Sequence, residues 1–160
     1  MTGMVRWLDD EEQRAWRSIL RGSHLVRLLM EEALDELGVS LGEYELMSMV
    51  SEAPGGRMRM AELAHLVVQS RSRVSHTANR LEKRGWVERV RTPQDRRGVV
   101  LVLTESGQDQ LHKLAPVHVQ SVRSALLDHL TREELITHGD LMRRVVRAIR
   151  HGEDEALDAV

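Results

Sequence analysis

Cysteine is absent from the 160 residues, which excludes a disulfide framework, a thiolate nucleophile, a thiol redox sensor and any cysteine zinc site. No apolar run approaches the ~20 residues that a helix needs to cross a bilayer. The first ten residues, Met1 to Asp10, lack a signal-peptide core and turn acidic at once. These absences predict a cytoplasmic protein with no membrane partner. Catalytic signatures are missing too: Gly55-Gly56-Arg57 is not a phosphate loop, and no Ser/His/Asp set has a recognisable context. Eight histidines are present, but His112 and His118 lie six apart, the others are scattered, and no His-Glu-x-x-His spacing occurs. Neither an enzyme, a metal site nor a cofactor is expected.

What is present is a soluble, foldable balance, with 30% charged and 41% apolar residues. There is no internal repeat or low-complexity linker, and the length suits one compact domain. The formal net charge of −2 conceals an asymmetry. From Arg57 to Arg97, eleven Arg and Lys face four acids, a surplus of seven, so the remaining residues are nine charges negative. A basic centre in an acidic frame suits an anionic polymer, although charge clustering alone is equally compatible with a solvated surface.

Helical spacing dominates the first fifty residues. Trp16, Ile19, Leu20, Val26, Leu29, Met30, Ala33, Leu34 and Leu37 recur at three- and four-residue steps before Gly38. Ser40 and Glu43 form a capping box for the next helix, and Pro54-Gly55-Gly56 ends it. A short helix over Met60 to Val67 precedes a longer one, capped by Ser70 and running to about Arg84, with Gly85 as its stop. The periodicity then changes. Trp86–Arg91 and Val99–Leu103 read as strands, joined by the basic turn Thr92 to Gly98. Thr104 caps a further helix, which Pro116 is expected to kink or divide. Thr131 and Glu134 open a last helix, ended by Gly152 and followed by an acidic tail that should fray.

Short helix, tight connection, longer helix and basic hairpin together describe a winged helix-turn-helix. The longer helix fits the major groove of duplex DNA while the hairpin tip reaches the neighbouring minor groove or backbone. Val74, Ala78 and Leu81 form that helix's buried stripe. They turn Arg71, Ser72, Ser75, His76, Asn79 and Arg80 outward, with Arg73 at the margin. Arginine can contact guanine with two parallel bonds, and the serines suit phosphates. In the hairpin, Asp95 can hold Arg97 extended through a charge-assisted bond.

The segments Ser70-Arg71-Ser72-Arg73-Val74-Ser75-His76-Thr77, Arg80-Leu81-Glu82-Lys83-Arg84-Gly85-Trp86-Val87, Asp95-Arg96-Arg97-Gly98 and Leu103-Thr104-Glu105-Ser106-Gly107 resemble the MarR family of bacterial regulators. The likeness extends more loosely over nearly the whole chain. It implies a mainly α fold with a small β-hairpin wing, in a single domain over 1–160. Residues 41–104 would be the winged helix-turn-helix, and 9–38 with 105–151 the helical stem through which two copies pair.

By the same likeness, the homodimer would bind a pseudo-palindromic operator as a transcription regulator, expected to be a repressor. Ser70, Arg71, Ser72, Arg73, Ser75, His76 and Arg80 would contact DNA from the helix. Asp95, Arg96 and Arg97 would do so from the wing, with Arg97 in the minor groove. Many members carry Arg where this chain has His76, so a weaker or pH-sensitive contact is expected there. Family members often bind aromatic or lipophilic effectors between stem and winged domain, and the candidates for such a pocket are Trp16, His24, Met30, Tyr44, Met47 and His118. Core packing explains the same side chains at helical spacing. An effector-independent DNA-bridging or helical interaction module is the alternative.

Overall fold

The computed structural model describes residues 5–92 and 95–150, with side chains described outside 92–97. Its elements, in chain order, are α1 (Asp10–Asp35), α2 (Leu41–Glu52), β1 (Arg57–Arg59), α3 (Met60–Leu66), α4 (Arg71–Lys83), β2 (Val87–Thr92), β3 (Asp95–Leu103), α5 (Glu105–Ala125) and α6 (Arg132–Ile149). Helix starts follow local chemistry. Ser40 with Glu43, and Thr131 with Glu134, close reciprocal capping boxes, as does Asp9 with Glu12 at the head of α1. Ser70 and Thr104 each accept one backbone N–H of the helix they open. Gly38 and Gly85 take φ of +70° and +73° after α1 and α4, a conformation that side chains with a Cβ resist.

The core lies in the winged half. Leu46, Met47, Val50, Leu63, Val74, Ala78, Leu81 and Leu101 are fully buried, joined by Leu34 from the end of α1 and Leu114 from α5. Each leucine, valine or methionine among them contributes about 1.5–3 kcal/mol by leaving water. The sheet is antiparallel in the order β1-β3-β2. Its first strand escapes sequence reading because Arg57-Met58-Arg59 is too short to show alternation. It becomes a strand by pairing with residues more than forty positions later, with Arg57 opposite Val102 and Arg59 opposite Val100. The wing also departs from expectation: β3 begins at Asp95 rather than Val99, with the register slipping between Arg91 and Thr92.

Pro116 does not divide α5, which runs unbroken from Glu105 to Ala125. Pro116 and His112 both lie on the exposed side of the helix, where the missing bond costs less than it would in the core. The helix ends before Leu126, and Leu127–His129 form a 3-10 turn, so Leu126 and Leu130 lie outside it.

The close of the wing meets the start of α5 at a backbone contact. Thr104 donates its hydroxyl to the Gly85 carbonyl at 2.7 Å and its N–H to the Trp86 carbonyl at 3.1 Å, while accepting from the Gly107 N–H at 3.0 Å. Gly107 is pressed against Trp86 so closely that a Cβ would overlap the Trp86 carbonyl oxygen and lie 2.8 Å from Leu103 Cδ1. The Leu-Thr-x-x-Gly signature is therefore a docking joint between the winged half and α5.

The outer helices are only partly covered. None of the residues of α6 is buried, and Ile136, Leu141, Met142, Val145 and Ile149 are exposed on it. On α1, Trp16, Ile19, Leu20, Leu25, Leu28 and Leu29 are likewise exposed, and Leu34 alone is fully buried. The acidic tail and Gly152 lie outside the described residues.

Candidate nucleic-acid interface

The orientation of α4 follows from its buried stripe. Val74, Ala78 and Leu81 are fully buried and Thr77 nearly so, which leaves Ser70, Arg71, Ser72, Arg73 and His76 exposed and Ser75 half-buried. These exposed side chains cluster at the N-terminal half of α4, where Ser70 Oγ accepts the Arg73 N–H at 3.2 Å. The remaining free N–H groups and positive end of the helix dipole lie beside two guanidinium groups, a favourable setting for phosphate oxygens.

Arg80, half-exposed on the same helix, also has a partner within the chain. Its Nε lies 3.2 Å from Glu43 Oε1. Glu43 is 2% exposed, accepts the Ser40 N–H and hydroxyl at 2.9 and 3.0 Å, and has Arg84 Nε 4.0 Å away. Burial by itself would raise the Glu43 pKa. The Ser40 bonds, the Arg84 charge and the Arg80 bond outweigh burial, and the carboxyl sits below its ordinary range. Arg84 also donates to the Gly38 carbonyl at 2.9 Å and stacks 4.8 Å from the Trp86 ring. Arg80 and Arg84 thus fasten the C-terminal half of α4 to α2 and to the turn before it. The outward helix position alone did not reveal this partner across 37 residues of chain.

Sequence reading missed Arg89. From β2 its guanidinium donates to Glu82 Oε2 at 2.9 Å and to the Ser75 carbonyl at 2.8 Å, and also to Asn79 Oδ1. Its backbone N–H reaches Glu82 Oε1 at 3.3 Å. The wing's first strand is therefore bolted to the outward side of α4, and Asn79 belongs to the bolt. Glu82 and Arg89, opposite charges flanking the Gly85 turn, were the available signal. Asp95, Arg96 and Arg97 continue β3 as backbone, but their side chains lie outside the described residues.

The expected effector residues separate into two groups. Tyr44 and Met47 belong to the buried core, Met30 packs against that core, and the His118 ring lies 4.2 Å from that of Tyr44. Burial lowers the His118 pKa, and its Nδ1 is buried without a partner among the described residues. Burial, with the Glu52 charge, raises that of Tyr44. Trp16 and His24 are exposed further along α1, and Trp16 stands fourteen residues, about 21 Å of helix, from Met30. Open space lies elsewhere. A polar crevice of about 200 Å³ behind α4 is lined by Arg27, Glu31, Asp35, Arg73 and Thr77, among others. A cleft of about 560 Å³ is lined by residues of α1 and α5, including Leu29, Ala33, Pro116 and Val117.

A family model, described as MarR family, matches residues 37–98, from the turn before α2 into β3. The crystal structure of AbsC, a MarR family transcriptional regulator from Streptomyces coelicolor, is 39% identical in sequence, covering 92% of this chain and 99% of that one at a TM-score of 0.87. The chain belongs to the MarR family. A second Streptomyces coelicolor member, Sco3205, whose structure is a complex with DNA, is 38% identical with a TM-score of 0.89, over 96% of this chain and 97% of its own. The multiple antibiotic resistance protein MarR of Escherichia coli (strain K12) is 27% identical over 74% of this chain and 81% of its own length. Members of the MarR family are winged-helix transcriptional regulators rather than enzymes. Among the described residues no helix is long and apolar enough to cross a membrane, and no group of three or more His, Asp or Glu could hold a metal ion.

Proposed function

We propose that this MarR-family protein is a cytoplasmic repressor that binds a pseudo-palindromic duplex operator as a homodimer and is released by a small ligand. The observation that carries the reading is the exposed, basic N-terminal half of α4 held rigidly beside the wing. The DNA complex of Sco3205, similar along nearly its whole length, supports duplex DNA as the partner. Residues 41–104 form the reading head, and 9–38 with 105–151 the stem. Within the head, Ser70, Arg71, Ser72, Arg73, Ser75 and His76 meet DNA, as do Asp95, Arg96 and Arg97 of the wing, while Arg80 positions the helix.

The uncovered apolar sides of α1 and α6 supply the dimer argument. Five large apolar side chains exposed on α6 need a cover, and the same stripe on a second copy is one. Two-fold symmetry then sets two heads on half-sites about one helical turn, ~34 Å, apart. A ligand lodged between stem and head releases DNA by the difference in its affinity for the two spacings. The crevice behind α4, lined by α1 on one side and by α2 and α4 on the other, offers such space, whereas Tyr44, Met47 and Met30 act as packing.

Selection of duplexes from a random pool by the purified protein tests the proposal. An inverted repeat should emerge, with affinity falling steeply as salt rises. Arg71→Ala should weaken every site and reduce the salt slope by about one, and Arg97→Ala should cost ~1–3 kcal/mol if it reads base edges. A protein that stays monomeric at micromolar concentration, or an Arg71 and Arg97 double variant that binds unchanged, refutes it.

A further inference from the structure

On the side of the head formed where α2 ends, a cup of about 640 Å³ opens to solvent. Its wall is apolar and assembled from three elements and a turn: Met49 and Ala53 at the end of α2, Pro54 in the turn, Met58 of β1 and Leu66 of α3. Three charged residues complete the lining, Glu52, Glu62 and Arg57. Glu52 accepts the Ser48 hydroxyl at 3.2 Å, and its charge is near enough to Tyr44 to raise that phenol's pKa alongside burial. Arg57 folds back on the turn, its Cδ 3.8 Å from where a Cβ on Gly55 would stand, so its stem serves as wall. Two carboxylates against one guanidinium leave the lining negative.

We infer that this cup is a binding site for a lipophilic monocation, a bulky apolar body carrying one delocalised positive charge. The volume falls in the range of small-molecule sites, which are mostly apolar with a few polar groups that set orientation. Two methionines give a wall that reshapes around varied apolar groups, and the two carboxylates favour a cation over an anion of the same shape. The cup lies apart from the crevice behind α4 and from the α1–α5 cleft, and shares no lining residue with either. It touches the reading machinery through the backbone. Met58 pairs with Leu101 of the wing strand β3, and Leu66 ends the helix that leads into α4. Occupancy therefore bears on how wing and α4 are held. That consequence rests on the operator-binding proposal, whereas binding itself does not.

Tetraphenylphosphonium and tetraphenylborate have the same shape and opposite charge, so together they separate hydrophobic uptake from charge recognition. Equilibrium dialysis of the full chain without DNA should show saturable tetraphenylphosphonium binding, one per protomer, with tetraphenylborate at least about tenfold weaker. Glu52→Gln and Glu62→Gln should each weaken the cation by up to about fivefold, the range of an exposed ion pair. Circular dichroism checks that the fold is kept. Equal affinity for both ions, binding of neither, or a Glu52→Gln/Glu62→Gln double variant that binds the cation as the parent does would each overturn the inference. A subsequent operator titration with and without the cation reads the effect on DNA separately. Loss of operator binding would leave the dialysis result standing.

Discussion

Gly107→Ala opposes two physical effects of known sign. Gly107 lies in the first turn of α5, where alanine ordinarily favours helix over glycine by about 1 kcal/mol. The backbone contact with Trp86 works the other way. A Cβ there would overlap the Trp86 carbonyl oxygen, lie 2.9 Å from its carbon, and meet Leu103 Cδ1 at 2.8 Å. The obstructing atoms are mostly backbone, so the start of α5 must retreat, straining the two bonds by which Thr104 holds Gly85 and Trp86. Overpacking and the weakened bonds together cost about 2–4 kcal/mol, leaving a net loss of about 1–3 kcal/mol after the helical gain. At 2 kcal/mol the thermal midpoint should fall by about 4–8 °C. Gly42→Ala is the matched control. Gly42 also sits in a first helical turn, but nothing lies within 4 Å of its added Cβ, so the midpoint should rise by about 2–4 °C. Calorimetry at equal protein concentration, which fixes any contribution from association, measures both. A Gly107→Ala midpoint at or above the parent's refutes the docking-joint reasoning.

Arg89→Ala should lower stability by about 1–3 kcal/mol in urea titrations, and Arg89→Lys should restore little, because an ammonium lacks the fork that reaches three acceptors; full rescue by lysine would contradict the bolt. Burial holds the His118 pKa below its ordinary value of 6.5, so the unfolded chain takes up its proton first. The stability this gives is intact above about pH 6.5 and is lost as pH falls toward the folded value. Thermal midpoints taken between about pH 7.5 and about 5.5 should slope accordingly, and His118→Leu should flatten the slope. Val145→Asp places a charge within the uncovered stripe of α6, and sedimentation should show a shift toward monomer; an unchanged distribution would place the dimer contact elsewhere.

Local chemistry was readable where a few neighbouring residues decide the outcome. Ser40, Ser70, Thr104 and Thr131 cap the helices that their sequence context announces, because each bond spans three residues. The stripe of Val74, Ala78 and Leu81 likewise fixes the outward side of α4 by period alone. Partners distant along the chain were not readable. Strand β1 exists only through Val100 to Val102, Arg80 is taken by Glu43 from another helix, and the surroundings of Arg89 emerge only when the wing folds against α4. The spread of Trp16 and His24 away from Tyr44 has the same origin. Helical period places side chains on a side of α1, but how far α1 projects beyond the core is set by packing.

The Arg89 bolt has a consequence for how such a regulator changes over time. Because Arg89 ties β2 to α4, a shift of the wing would carry the helix with it, whether its cause lay in the stem or in the cup beside β1. Under the proposed function, grafting residues 41–104 of a relative onto this stem should therefore exchange the sequence recognised, because helix and wing travel together in that segment.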